Sequence, residues 1–345
     1  MSSVESTLDA ARREGDVAAD EVVAALGDRA WAVNAMLGAV RTNTDPIPDA
    51  VPPAVRALVS SELPAWSDPI RIRRAQRFAE EHVLAITASL FCASLPTSYA
   101  CADGARVLTA SGRLQDDIDR RVNETARFVL DVISANGFDP GGSARVTCGK
   151  VRFIHAAVRR SLSERWSDGP SVPINQEDQL GTLLCFSVVV LRAMARLGVE
   201  VQSRDREDFV HLWATIGALL GVREDLLPRS YAEALDQLGS IERRQFAPSE
   251  DGRALMAALA DGYDRHLGFL GGRKMALPLV RRLSGDRVGD LLGLPEERSS
   301  GSRFPKPPRS GAWGTKLMGA IAQAKLAGRT PTFPMPTSTG RSPLR

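Results

Sequence analysis

Two apolar runs, LGTLLCFSVVVL at 180–191 and FVHLWATIGALLGV at 209–222, dominate the pattern of the chain. At 12 and 14 residues they fall short of the roughly 20 needed to cross a bilayer, and charged residues flank each closely. They are expected to be central core helices. Convincing strand alternation is nearly absent elsewhere, and segments with helical periodicity alternate with Pro, Gly, Asn or Asp punctuation. The fold class expected is all-α. Helices are predicted near 16–26, 29–41, 51–60, 69–78, 80–93, 96–110, 114–136, 144–165, 175–197, 205–221, 230–246, 250–268 and 275–284. NGFDPGG at 136–142 and SDGPSVPINQED at 167–178 separate the long ones, with Asn175 an N-cap before Gln176, Glu177 and Asp178.

No linker inside 16–297 is long enough to argue for a second domain, so residues 1–297 are expected to form one helical domain. With 43% hydrophobic residues in a chain of 345, a sizeable core is within reach. The composition then changes. Residues 298–345 are rich in Pro, Ser and Arg and are expected to be extended or disordered, apart from WGTKLMGAIAQAKLAG at 313–328. That stretch can form a short amphipathic helix with Trp313, Leu317 and Ile321 on one face; docking on the parent domain or fraying is the commoner outcome, and binding to a membrane surface the rarer one.

Positive and negative charges nearly balance at +3 and are interspersed, which gives no reason to expect nucleic acid as a partner. Cys92, Cys101, Cys148 and Cys185 show no CxxC spacing and lie in or beside apolar segments, as reduced, buried thiols do. The N-terminal stretch MSSVESTLDAARREGDVAADE carries no secretory or transit pattern, so a cytoplasmic location is expected.

The stretch KVRFIHAAVRRSL at 150–162 is the most informative for function. On a helix, Arg152, His155 and Arg159 share one face, beside an apolar stripe of Val151, Ile154, Val158 and Leu162. Of the other histidines, His82 and His266 are expected to be exposed and His211 to be a core histidine bonded to a carbonyl. Two readings of His155 stand side by side. In the plainer one the arginines face solvent or pair with helix neighbours such as Glu164. In the other, the imidazole is the axial ligand of haem b and Arg152 or Arg159 holds the carboxylates at the edge of the macrocycle. One helix earlier, RRVNETARFV at 120–129 puts Arg121, Thr125 and Phe128 on one face with Glu124 beside them, opposite Val122, Val129 and Val132. Such a face can line a pocket or belong to an ordinary amphipathic helix.

Together, Arg121 and Thr125, Arg152, His155 and Arg159, the segment SLPTSYACADGARVLTASGRL, and the segment PINQEDQLGTLLCFSVVVLRAMARLGV followed by FVHLWATIGALLGV resemble the catalytic domain of the rubber oxygenases, or latex-clearing proteins, and the related oxygenase of mycophenolic acid biosynthesis. The resemblance spans about residues 70–285. It implies a globin-like haem b domain with His155 as proximal iron ligand, Arg152 and Arg159 beside it, and Arg121 and Thr125 on the distal side. It also implies an oxygenase that uses dioxygen, in the latex-clearing branch to cleave an isoprenoid C=C bond into two carbonyl ends. Two departures qualify this. Where latex-clearing proteins often carry a lysine able to occupy the sixth iron position, this chain has Glu124, so a vacant or water-bound distal position, or an acid/base role for Glu124, is expected. A cytoplasmic enzyme would also act on a small apolar, olefinic, terpenoid-like molecule rather than on extracellular polymer. The second ring nitrogen of His155 is expected to donate to the Val151 carbonyl, with Arg121 and Thr125 stabilising negative charge on oxygen. A non-catalytic haem or oxygen carrier on the same scaffold is the alternative. A terpene synthase reading of LQDDIDR at 114–120 is disfavoured, because Asp116, Asp117 and Asp119 lack one-turn spacing.

Overall fold

Short polar side chains start the helices. Asp16 accepts from the Ala19 amide, Asp68 from Ile70 and Arg71, Asn175 from Asp178, Ser230 from Glu233 and Ser249 from Gly252. The structure, a computed structural model, describes residues 3–111, 118–163, 166, 171–268 and 271–296, without the side chains of 3, 4 and 118–122. The predicted tail and its short helix, the LQDD stretch at 114–117, Glu164 and the side chain of Arg121 lie outside the described residues.

The helices are α1 (Ser3–Ala11), α2 (Val17–Leu26), α3 (Ala30–Leu37), α4 (Pro53–Val59), α5 (Pro69–Glu81), α6 (Val83–Ser89), α7 (Leu95–Tyr99), α8 (Ala102–Ala110), α9 (Ile118–Ile133), α10 (Ala144–Ser163), α11 (Gln176–Leu184), α12 (Val190–Arg196), α13 (Ser203–Leu219), α14 (Tyr231–Gln245), α15 (Glu250–Leu267), α16 (Gly272–Ser284) and α17 (Asp286–Leu291). No strand occurs among the described residues, and the all-α expectation holds.

Three local differences from the sequence reading have physical causes. Helices α1 and α17 were not expected: at nine and six residues they are too short to be stable alone. Packing holds them, through buried Leu8 and Ala11 in α1 and Val288 in α17. Helices were expected at 80–93 and 96–110 with a gap between them, yet helix runs on through Pro96 to Tyr99 and the break falls before α8. A π-helical turn at Leu90–Ser94 carries it through, with the Leu95 amide donating five residues back to Leu90. That wider turn makes room for the pyrrolidine ring, which would otherwise press on the carbonyl four residues earlier. A second π turn at Cys185–Val189 joins α11 to α12, so Gln176–Arg196 is one run of 21 residues. It is apolar and long enough to cross a membrane, but 72% of its apolar window is buried inside the protein.

Helix α10 lies between two packed layers. Val146, Phe153, Ala156 and Ala157 face a cluster built from α2, α3 and α4, which includes Val23, Leu37 and Val59. Gly149 permits the close approach, since a Cβ there would lie 2.6 Å from Val59 Cα and 2.7 Å from the Val59 carbonyl oxygen. Val151, Ile154, His155 and Val158 look the other way, into the main body. Sequence spacing thus gives α10 two buried faces, one for cohesion and one for a cavity.

Candidate active site

A cavity of about 350 Å³ opens beside that second face of α10, within the range of about 300–1,000 Å³ usual for small-molecule and cofactor pockets. Its walls come from α7 to α11, the second π turn and parts of α13 to α15. Leu95, Val107, Phe128, Ile154, Leu183 and Trp213 make it mainly apolar. Cys185 also faces it, with burial pushing its thiol up to about 12, so it contributes a neutral sulfur.

His155 lines this cavity. Its Nδ1 is buried and has no hydrogen-bond partner, so the donation to Val151 expected from sequence is not made. The Val151 carbonyl lies one turn back, where the helix ladder already directs it to the backbone amide of His155. Burial, helped by the positive charge of Arg159, pushes the imidazole down to about 4, and Asp16 and Gln179 act against that shift. The ring is therefore neutral at pH 7, the form that has a lone pair to offer a metal.

Arg152 and Arg159 take up a different arrangement from the one expected. Arg152 grips Asp16 through Nε and Nη2, the latter at 2.9 Å, and Arg159 Nε contacts both Asp20 carboxylate oxygens at 2.8 and 2.9 Å. Arg159 Nη1 also donates to the Ile174 carbonyl at 2.7 Å, and neither arginine lines the cavity. Their partners lie on or next to α2, so these cations clamp the histidine helix to the N-terminal layer. These pairs are long-range; Glu164, the helix neighbour named from sequence, lies outside the described residues.

On α9, Glu124, Thr125 and Phe128 line the same cavity as His155. Thr125 also borders a small apolar pocket of about 20 Å³ with Leu90, Phe91 and Phe186, next to the first π turn. The remaining histidines stay outside the cavity. His211 is structural, but its Nε2 accepts the Asp68 amide at 2.8 Å instead of donating to a carbonyl, because it faces the start of α5. His82 is half-buried against Phe78, with ring centroids 4.8 Å apart, where exposure was expected; His266 is exposed.

Sequence reasoning missed an ionic cluster in the cavity wall. Glu177, whose side chain is 0% exposed, accepts from Arg12 at 3.1 Å, Arg244 Nε at 2.7 Å and Gln245 at 3.0 Å. Arg12 also reaches Asp103 and Asp178, and Arg244 reaches Asp9 at 2.7 Å. Burial raises the Asp178 carboxyl to about 7, with Arg12 opposing and Glu177 and Asp103 reinforcing the rise. The signal was present in QEDQLGTLL. Glu177 shares a helical stripe with Leu180 and Leu184, while Gln179 shares one with Leu183 and Phe186, so these polar residues point inward with apolar ones.

The residues present fit a haem in part. A neutral imidazole faces an apolar cavity whose wall also holds unpartnered buried polar atoms, His155 Nδ1, both amide atoms of Gln179 and Trp213 Nε1. Among the described residues no set of three or more His, Cys, Asp or Glu converges as a metal site, so an iron at His155 would take its other donors from a macrocycle. The fit is weakest at the two arginines, which Asp16 and Asp20 already engage, although Arg159 Nη2 is buried without a partner.

Fold and cavity define an all-helical pocket protein with one inward imidazole. Comparison makes that class specific. The domain described as ER-bound oxygenase mpaB/B'/Rubber oxygenase, catalytic domain, matches residues 82–316. The rubber oxygenase of Streptomyces sp. (strain K30) is 30% identical over 297 residues, which cover 82% of this chain and 71% of that protein. The structure of latex clearing protein LCP in the closed state aligns with a TM-score of 0.75 at 26% identity, covering 95% of this chain and 86% of that one. The chain belongs to this family of oxygenases, as its motifs at 121–125 and 152–159 implied.

Proposed function

We propose that this chain is a haem b-dependent oxygenase that uses dioxygen to cleave a C=C bond of a small apolar, terpenoid-like olefin into two carbonyl ends. The neutral imidazole of His155 facing an apolar cavity is the observation that carries this reading. Haem bound there would supply an iron able to activate dioxygen, with His155 as its protein ligand. Arg152 and Arg159 serve by fixing α10 against α2 through Asp16 and Asp20, which sets the height and tilt of the ring. The charge of Arg159 also keeps the ring from taking a proton.

Thr125 is the hydrogen-bond donor of the distal wall, with Arg121 as its expected companion one turn earlier, and the low dielectric of the apolar walls strengthens that contact. Glu124 stands at the same wall and is suited to take or return a proton. The apolar side chains admit an olefin and exclude water. The four cysteines are free, as suits a reducing compartment, and we assign the enzyme to the cytoplasm, with no nucleic-acid partner.

The test is mass spectrometry of products formed by the haem-loaded protein from an unsaturated terpenoid under ¹⁸O₂. Two carbonyl fragments, each with one labelled oxygen, are expected. Reversible oxygen binding without product would favour the carrier alternative and refute the oxygenase reading for such substrates.

A further inference from the structure

Gln179 is 7% exposed and lines the cavity, yet neither Oε1 nor Nε2 has a partner. His155 Nδ1, in the same wall, is also buried and alone. Each such orphan costs about 1–3 kcal/mol of lost hydration, so two complementary ones in one cavity wall gain by bonding to each other. Gln179 and His155 line one and the same cavity, and the amide lies close enough to the imidazole to act on it as a hydrogen-bonding group. The acids nearest this helix and its neighbour are engaged elsewhere. Asp16 and Asp20 are held by Arg152 and Arg159, and Glu177 by Arg12 and Arg244. The carbonyl one turn back on α10 is used by the helix itself.

We propose that Gln179 is the positioning residue of the His155 ligand, its Oε1 accepting the Nδ1 hydrogen so that the ring presents its other nitrogen to the cavity as a lone-pair donor. This rests on the haem reading given above. The bond fixes the tautomer, and it does so with a neutral acceptor. An amide pulls on the ring proton less than a carboxylate would, so the imidazole stays a moderate donor without imidazolate character. α11 thereby contributes to the site through one inward residue, one turn after its Asn175 cap.

Resonance Raman spectra of the ferrous haem protein report this bond through the iron–histidine stretch, which rises as the ring becomes more anionic. Gln179→Met, similar in size and without an acceptor oxygen, should lower that frequency. Gln179→Glu, nearly isosteric and anionic, should raise it above wild type. A fold defect in one variant leaves the other to decide, and far-UV circular dichroism identifies which is intact. Frequencies equal to wild type in the folded variants overturn the inference. Absence of any iron–histidine band in the wild-type protein counts instead against His155 as ligand, and thus against the haem reading itself.

Discussion

Asp16→Ala removes two interactions at once. Its carboxylate accepts the Ala19 amide at 3.3 Å as the N-cap of α2, a contact worth about 1 kcal/mol. It also holds Arg152 through two hydrogen bonds, with side chains only 5% and 17% exposed. Breaking a fully buried pair costs about 3–5 kcal/mol, and the residual access of water to Arg152 brings that to about 2. The expected loss is about 3 kcal/mol in urea unfolding, seen as a lower midpoint with an unchanged slope. Asp16→Ala, Arg152→Ala and the double variant form a cycle whose coupling should be about 2 kcal/mol. Strictly additive losses would refute the pairing of the histidine helix with α2, and with it the reassignment of Arg152 from cofactor grip to clamp.

Glu177→Ala should destabilise the protein by about 3–5 kcal/mol, because Arg12 and Arg244 lose a shared, fully buried partner; thermal denaturation checks this. Gly149→Ala should cost about 1–3 kcal/mol or prevent folding, since its methyl would meet Val59 backbone that cannot move aside as a side chain would. Asp178 has a raised pKa in the fold, so its contribution is fully present below about 3.8 and is lost as pH rises through about 7. The stability difference between wild type and Asp178→Asn should therefore move in favour of the variant over that interval, and a constant difference would contradict the assignment.

Much of this was readable in advance because helical spacing is local. His155 with Val151, Ile154 and Val158, and Thr125 with Glu124 and Phe128, both line the cavity as residues three or four apart on one helix should. The partners of Arg152 and Arg159 were not readable, since Asp16 and Asp20 lie 136 and 139 residues away and nothing in their own sequence distinguishes them from surface acids. Glu177 reads in the sequence as an acidic first-turn residue, which it is; its burial depends on Arg12 from α1's end and Arg244 from α14, a tertiary arrangement that propensity does not encode. The π turn before Pro96 escaped for the same reason, because packing, not the residue types of LFCAS, decides where a helix widens.

The most direct measurement is a haem titration of the purified protein followed by Soret absorbance, run in parallel on His155→Ala. Saturation near one haem per wild-type chain is expected, with loss of tight binding in the variant while its helical content is kept. Equal haem uptake by the two proteins, or none by either, would contradict this expectation.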